Sequence, residues 1–105
     1  MDEFVCVTLL AKPGETDAAF QRRLTEFWTH LLRTRPAVYE GVYAEARDFD
    51  RDAGTARRYM VRTDAAEAVA TELVAKGVAF LPIDPDDGYN KAEASSSEWF
   101  QIPHD

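Results

Sequence analysis

Phe4-Val5-Cys6-Val7-Thr8-Leu9-Leu10-Ala11 is apolar at both parities and rich in β-branched residues. That pattern suits a strand covered on both faces and placed inside a sheet. Lys12-Pro13-Gly14 breaks it, and Thr16 or Asp17 can cap a helix starting there. Phe20, Leu24, Phe27, Trp28 and Leu31 then fall on one stripe at about 100° per residue, with Arg22, Glu26 and Thr29 opposite. The helix must stop before Pro36, because the residue preceding a proline is pushed out of helical space. Arg33 and Arg35 suit the negative end of its dipole.

Ala37 to Phe49 and Thr55 to Thr63 read as two strands of a hairpin joined through Asp50-Arg51-Asp52-Ala53-Gly54. With Arg51 to Gly54 as the loop, Ala46 faces Tyr59, Ala44 faces Val61 and Val42 faces Thr63 on a side buried under helices. The other side then pairs Tyr43 with Arg62, Glu45 with Met60 and Arg47 with Arg58. Asp64 with Glu67 resembles a capping box, and Ala66, Val69, Ala70, Leu73 and Val74 form a second apolar stripe ending at Gly77. Val78 to Ile83 reads as a last core strand, its Pro82 favouring a sheet edge. Asp84 to Glu98 reads as a long polar loop, and Trp99 to Ile102 is too apolar to float free, so it should dock as an extra C-terminal strand.

The element order is β-α-β-β-α-β. It predicts a single α+β domain over 1–105, a ferredoxin-like sandwich of a four-stranded antiparallel sheet with two helices on one face. The face without helices must meet a partner, a ligand or water. Tyr43, Met60 and part of the first strand give it enough apolar surface to suggest a homodimer.

A net charge of -7 would repel a phosphate backbone, which argues against a nucleic-acid partner. The apolar runs are too short to span a bilayer, and Asp2 and Glu3 stand where a signal peptide would be basic, so no membrane association and a cytoplasmic location are expected. The single cysteine, Cys6, reads as a small buried hydrophobe. His30 and His104 lack metal-ligand spacing, and the Asp84, Asp86, Asp87, Gly88 run has Ser95 where a calcium loop needs an acid, so neither metal nor cofactor is expected.

Arg47, Arg57, Arg58 and Arg62 concentrate on the hairpin of an otherwise acidic chain. Arg58 and Arg62, beside the phenols of Tyr39 and Tyr43, could hold a small anionic or aromatic ligand, since guanidinium pairs with carboxylates and rings supply apolar walls. The alternative is a solvated hairpin whose arginines meet Glu45, Asp48 or the acidic stretch after Asp84. For catalysis the candidates are His30, on the flank of the first helix's stripe, and the phenols of Tyr43 and Tyr59.

Val7-Thr8-Leu9-Leu10-Ala11-Lys12-Pro13-Gly14-Glu15, followed by Phe20 and Leu24, resembles the opening of antibiotic biosynthesis monooxygenase-like proteins of the dimeric α+β barrel superfamily. The match covers about the first third of the chain. The resemblance implies a ferredoxin-like fold whose sheets pair in a dimer around pockets. It also implies membership of a group holding cofactor-independent oxygenases, haem-degrading enzymes, isomerases and proteins of no assigned activity. The tryptophan that those monooxygenases carry near the hairpin's second strand is absent, since Tyr59 to Thr63 runs directly into Asp64, so their catalytic residues do not transfer. The expected function is small-molecule binding at a dimeric sheet face. A cofactor-independent monooxygenase or isomerase and a protein-interaction module are the alternatives.

Overall fold

The computed structural model describes residues 3–46 and 56–102. Arg47, Asp48, the expected loop from Arg51 to Gly54 and His104 lie outside the described residues. The elements are β1 (Phe4–Leu10), α1 (Asp17–Thr34), α2 (Pro36–Tyr39), β2 (Val42–Ala46), β3 (Ala56–Arg62), α3 (Ala66–Lys76), β4 (Gly88–Tyr89), α4 (Lys91–Ala94) and β5 (Trp99–Gln101). They build an α+β fold on one antiparallel sheet of order β4-β1-β3-β2-β5.

α1 starts where the Thr16 side chain accepts from the Ala19 N–H, and it stops at Arg35, ahead of Pro36. Its buried face is Phe20, Leu24, Phe27 and Leu31. α3 ends at Gly77, whose φ of 70° is the left-handed conformation that closes a helix. Ala66, Val69 and Leu73 of α3 join the α1 stripe over Val5, Val7 and Leu9 of β1, and Tyr59 and Val61 of β3. Both long helices therefore cover the same face.

A tight ion pair holds the entry to α1. Arg23 donates to both Glu15 oxygens at 2.9 and 2.7 Å, and the Lys12 N–H adds a third bond at 2.9 Å. These bonds, the Arg23 ones foremost, draw the Glu15 carboxyl from its ordinary 4.5 down to about 2. A depressed carboxylate contributes stability above its unfolded value and loses it as pH falls through the folded one. Glu15→Gln should lower the thermal midpoint at neutral pH, and the gap to the parent should narrow below about pH 4.5 and close near pH 2. A gap that is constant across that range would assign the effect to something other than the carboxylate charge.

Several expectations are corrected. Among the described residues the sheet has five strands, and the one expected from Val78 to Ile83 is not among them. That segment makes one bridge, Leu9 to Phe80, with Leu10 N–H donating to Ala79 and Leu81 N–H to Thr8. Pro82 has no N–H to extend that ladder. The edge beside Phe4 and Val5 is taken instead by β4, so the polar stretch from Asp84 to Glu98 carries β4 and α4 rather than a bare loop. The strand expected from Ala37 begins only at Val42, because Pro36 at a helix start and the bond from Glu40 N–H to Pro36 O wind the preceding turn into α2. Ala65, not Asp64, precedes α3, and Asp64 pairs with Arg62 instead of capping.

The hairpin register also differs. Val42 pairs with Val61, Ala44 with Met60 and Glu45 with Tyr59, with a bulge between Val42 and Ala44. The extra residue reverses the side-chain parity beyond it. Ala44 therefore joins Met60 on the face away from the long helices, while Glu45 joins Tyr59 beneath them.

Candidate functional site

The face of the sheet away from α1 and α3 is divided into a covered half and an open half. Residues alternate along β1, so Phe4 and Cys6 point here while Val5 and Val7 point to the long helices. Phe4, Ala44 and Met60 are covered by Ala94 of α4 and Trp99 of β5, with Tyr43, Ala46 and Tyr89 packed around them. The covering segment is tied down at several points. Asn90 and Glu93 form a reciprocal capping box on α4, Ile102 N–H donates to the Tyr43 carbonyl, and the Tyr43 hydroxyl lies 2.8 Å from Ser95 Oγ and accepts from Gln101 Nε2. β5 extends the sheet along β2, pairing Trp99 with Ala46.

The open half carries Thr8, Leu10 and Arg58, all half-buried, with Cys6 and Ala46, which also pack against the covered cluster, at its border. Arg58 pairs across the sheet with Thr8, and its guanidinium lies over the Trp99 ring, 5.4 Å from the centroid. A guanidinium held on an indole face keeps its N–H edge directed sideways for planar anions. Cys6 Sγ lies 4.0 Å from Thr8 Oγ1. Burial pushes the thiol up, the Thr8 bond and the Arg58 charge opposing it, so Cys6 is a thiol and not an activated nucleophile. At the margin, the Tyr89 hydroxyl donates to Asp87 at 3.3 Å, and burial, then the Asp87 charge, raises that phenol.

The residues expected to share one anion site are dispersed. Arg58 lies on the open half. Arg62 is four residues further along β3, about 13 Å away, and its Nε donates to Asp64 at 2.5 Å in the exposed turn. Tyr43 sits on the same face but is occupied in holding the C-terminal segment and stacks at 4.8 Å on Phe4. Tyr39 is on α2 in the helix layer, packed against the other core, and burial raises its phenol. His30 lines a shallow groove of about 310 Å³ along the outer side of α1, formed by Thr25, Glu26, Thr29, Arg33 and Thr34 of the same helix.

Tyr59 lies in the helix-side core, 1% exposed, and donates its hydroxyl to Glu45 Oε2 at 2.6 Å. Burial, then the Glu45 charge, raises its pKa far above the ordinary phenol value, so it stays neutral and cannot serve as a tyrosinate base. The Trp28 ring is 4.9 Å from that of Tyr59 at 56°. Its Nε1 is near enough to the Tyr59 oxygen to offset a part of that rise, yet it is shut from solvent without a well-formed hydrogen bond. A buried donor left unpaired costs about 1–3 kcal/mol. Sequence reasoning placed Trp28 only in the apolar stripe and put Glu45 on the other face, so it missed this group.

No family model, curated protein or solved structure matches the chain. Among the described residues no helix is long and apolar enough to cross a membrane, and no three His, Cys, Asp or Glu residues are grouped to hold a metal ion.

Proposed function

We propose that this chain is a ferredoxin-like binding protein for a small anionic aromatic molecule, seated on the open half of the sheet face beside Arg58. The observation that carries the reading is Arg58 fixed over the Trp99 ring on an interior strand, next to the half-buried Thr8 and Cys6. A carboxylate would meet the guanidinium edge while its ring lay along Leu10 and Ala46, giving one charged anchor in an apolar setting. The β4-β1-β3-β2 part of the sheet and the two long helices on one face support the ferredoxin-like assignment. A second copy packed against the open half would complete the walls of the site, which is the form in which we propose it operates.

Binding is favoured over catalysis. Tyr59 is a neutral, committed phenol, Cys6 is a raised thiol, Tyr43 is a tether and His30 lies on a single-helix groove. Recognition of another protein has less support. Among the described residues, the large exposed apolar side chains Leu32, Val74, Leu81 and Phe100 come from separate stretches of the chain.

Calorimetric titration with benzoate tests the reading. Benzoate should bind the parent, and Arg58→Gln should weaken it by about tenfold or more, the loss of one charge-assisted contact. Equal affinity of the two proteins, or no binding to the parent at millimolar concentration, would overturn it.

A further inference from the structure

The sheet face that carries Arg58 has a charge of the opposite sign at its other margin. Asp87 stands one residue ahead of β4, and since Gly88 pairs with Val5 of β1, Asp87 falls beside Cys6. Side chains alternate along an extended chain, so Asp87 and Tyr89 share a face, and Tyr89 packs with the Phe4, Ala44 and Met60 cluster on the side away from α1 and α3. The hydrogen bond from the Tyr89 hydroxyl to Asp87 Oδ2 holds the carboxylate there. Asp87 is exposed, and Tyr89 occupies only one of its oxygens, so the carboxylate can accept again from solvent's side. Across the sheet, Thr8 pairs with Arg58 and Ala46 with Trp99, and Ala46 is small enough to let the Arg58 guanidinium lie over the Trp99 ring. Between the two margins the side chains on β1 are short, those of Cys6 and Thr8, and both are half-buried. Long side chains flank them, Arg58 and Trp99 on one side, Asp87 and Tyr89 on the other. The Cys6 thiol and the Tyr89 phenol feel both charges, Asp87 raising and Arg58 lowering each.

A simple aromatic acid meets only the Arg58 end, and it brings one more negative charge to a chain whose net charge is -7. A molecule that also carries an ammonium is neutral overall and sets each of its charges against the opposite one. Two strand spacings across the sheet and two residues along it separate Asp87 from Arg58, roughly 12 Å between backbones. Arg58 is turned toward Trp99, so its length does not shorten that span. An α-amino acid bears both charges on one carbon and is too short to reach both ends. Charges at opposite ends of a benzene ring reach them. We propose that the site beside Arg58, on whose anchoring role this rests, takes a zwitterionic aromatic acid, with its carboxylate on the Arg58 guanidinium, its ring across Thr8 and Cys6, and its ammonium on Asp87. Asp87 is then the residue that separates zwitterions from plain anions at this site.

The pair 4-(aminomethyl)benzoate and 4-methylbenzoate share an outline and differ in the ammonium. Calorimetric titration of the full chain should give the ammonium compound a dissociation constant lower by about threefold or more, the scale of one exposed ion pair. Asp87→Asn should abolish that preference while holding the affinity for 4-methylbenzoate within about twofold. Arg58→Gln should weaken both compounds. In nitrogen-15 NMR the Gly88 and Tyr89 amides should move more with the ammonium compound than with its methyl counterpart. Binding of 4-methylbenzoate with no gain from the ammonium would overturn the zwitterion and leave the Arg58 site standing, whereas binding of neither at millimolar concentration would overturn both. A preference that survives Asp87→Asn would put the ammonium on a different carboxylate and overturn the assignment to Asp87. The comparison of the two compounds on the parent needs no variant, so a misfolded variant does not protect the proposal.

Discussion

Trp99→Ala is expected to cost about 3–5 kcal/mol, the range for truncating a buried large aromatic. The ring is only 9% exposed, and it packs in the cluster of Phe4, Ala44, Met60 and Ala94 while serving as the platform under Arg58. For a chain of this size that loss is a large fraction of a total stability of roughly 5–15 kcal/mol. The melting temperature should fall by more than about 10 °C. The variant also strips a half of the sheet face of its cover, so light scattering should report self-association that grows with concentration. An unchanged melting temperature would mean that β5 and α4 are not seated on the sheet as described.

Gly41→Ala is the second large effect, and its cause is steric. Gly41 links α2 to β2, with its N–H donating to Val38 O and its carbonyl accepting from Arg62 N–H at 2.7 Å. A Cβ placed there would come 2.5 Å from the Ala65 Cβ and 3.2 Å from the Val38 oxygen. Ala65 is buried and immediately precedes α3, so the methyl group would pry that helix start away from the sheet. Overpacking of this kind costs about 1–3 kcal/mol. Denaturant unfolding should show that loss, and Ala65→Gly in the same chain should restore a part of it. If Ala65→Gly adds its own penalty in full, the clash is not between these two positions.

The first effect falls on a segment that the sequence marked for docking and the second where the sequence was hard to read, each for a specific physical reason. α1 was legible because its apolar residues keep the helical period and Thr16 and Pro36 mark its ends. Gly77 marked the close of α3 for the same kind of local reason. α2 was hidden because a single turn has no periodicity to detect. The bulge at Tyr43 was hidden because the alternation on either side is regular, and the sequence does not show where one residue is skipped. That slip had the larger consequence. An unbulged hairpin sets Glu45 opposite Met60, whereas the true register sets it opposite Tyr59 and creates the polar group that Trp28 completes. Arg58 was legible as one of four arginines concentrated on the hairpin, but its neighbours were not, since Cys6, Thr8 and Trp99 come from distant strands. Arg62 and Tyr39 looked equivalent to Arg58 and Tyr43 in sequence. Only the turn after β3 and the helical turn of α2 assign them elsewhere.

An amide-resolved NMR titration of the labelled full chain with benzoate reads the Arg58 face of the sheet directly. Shifts should concentrate at Cys6, Thr8, Leu10, Arg58 and the Trp99 indole, and should be strongly reduced in Arg58→Gln. Shifts centred instead on the outer groove of α1 around His30, or on Arg62 and Tyr39, would contradict a site beside Arg58.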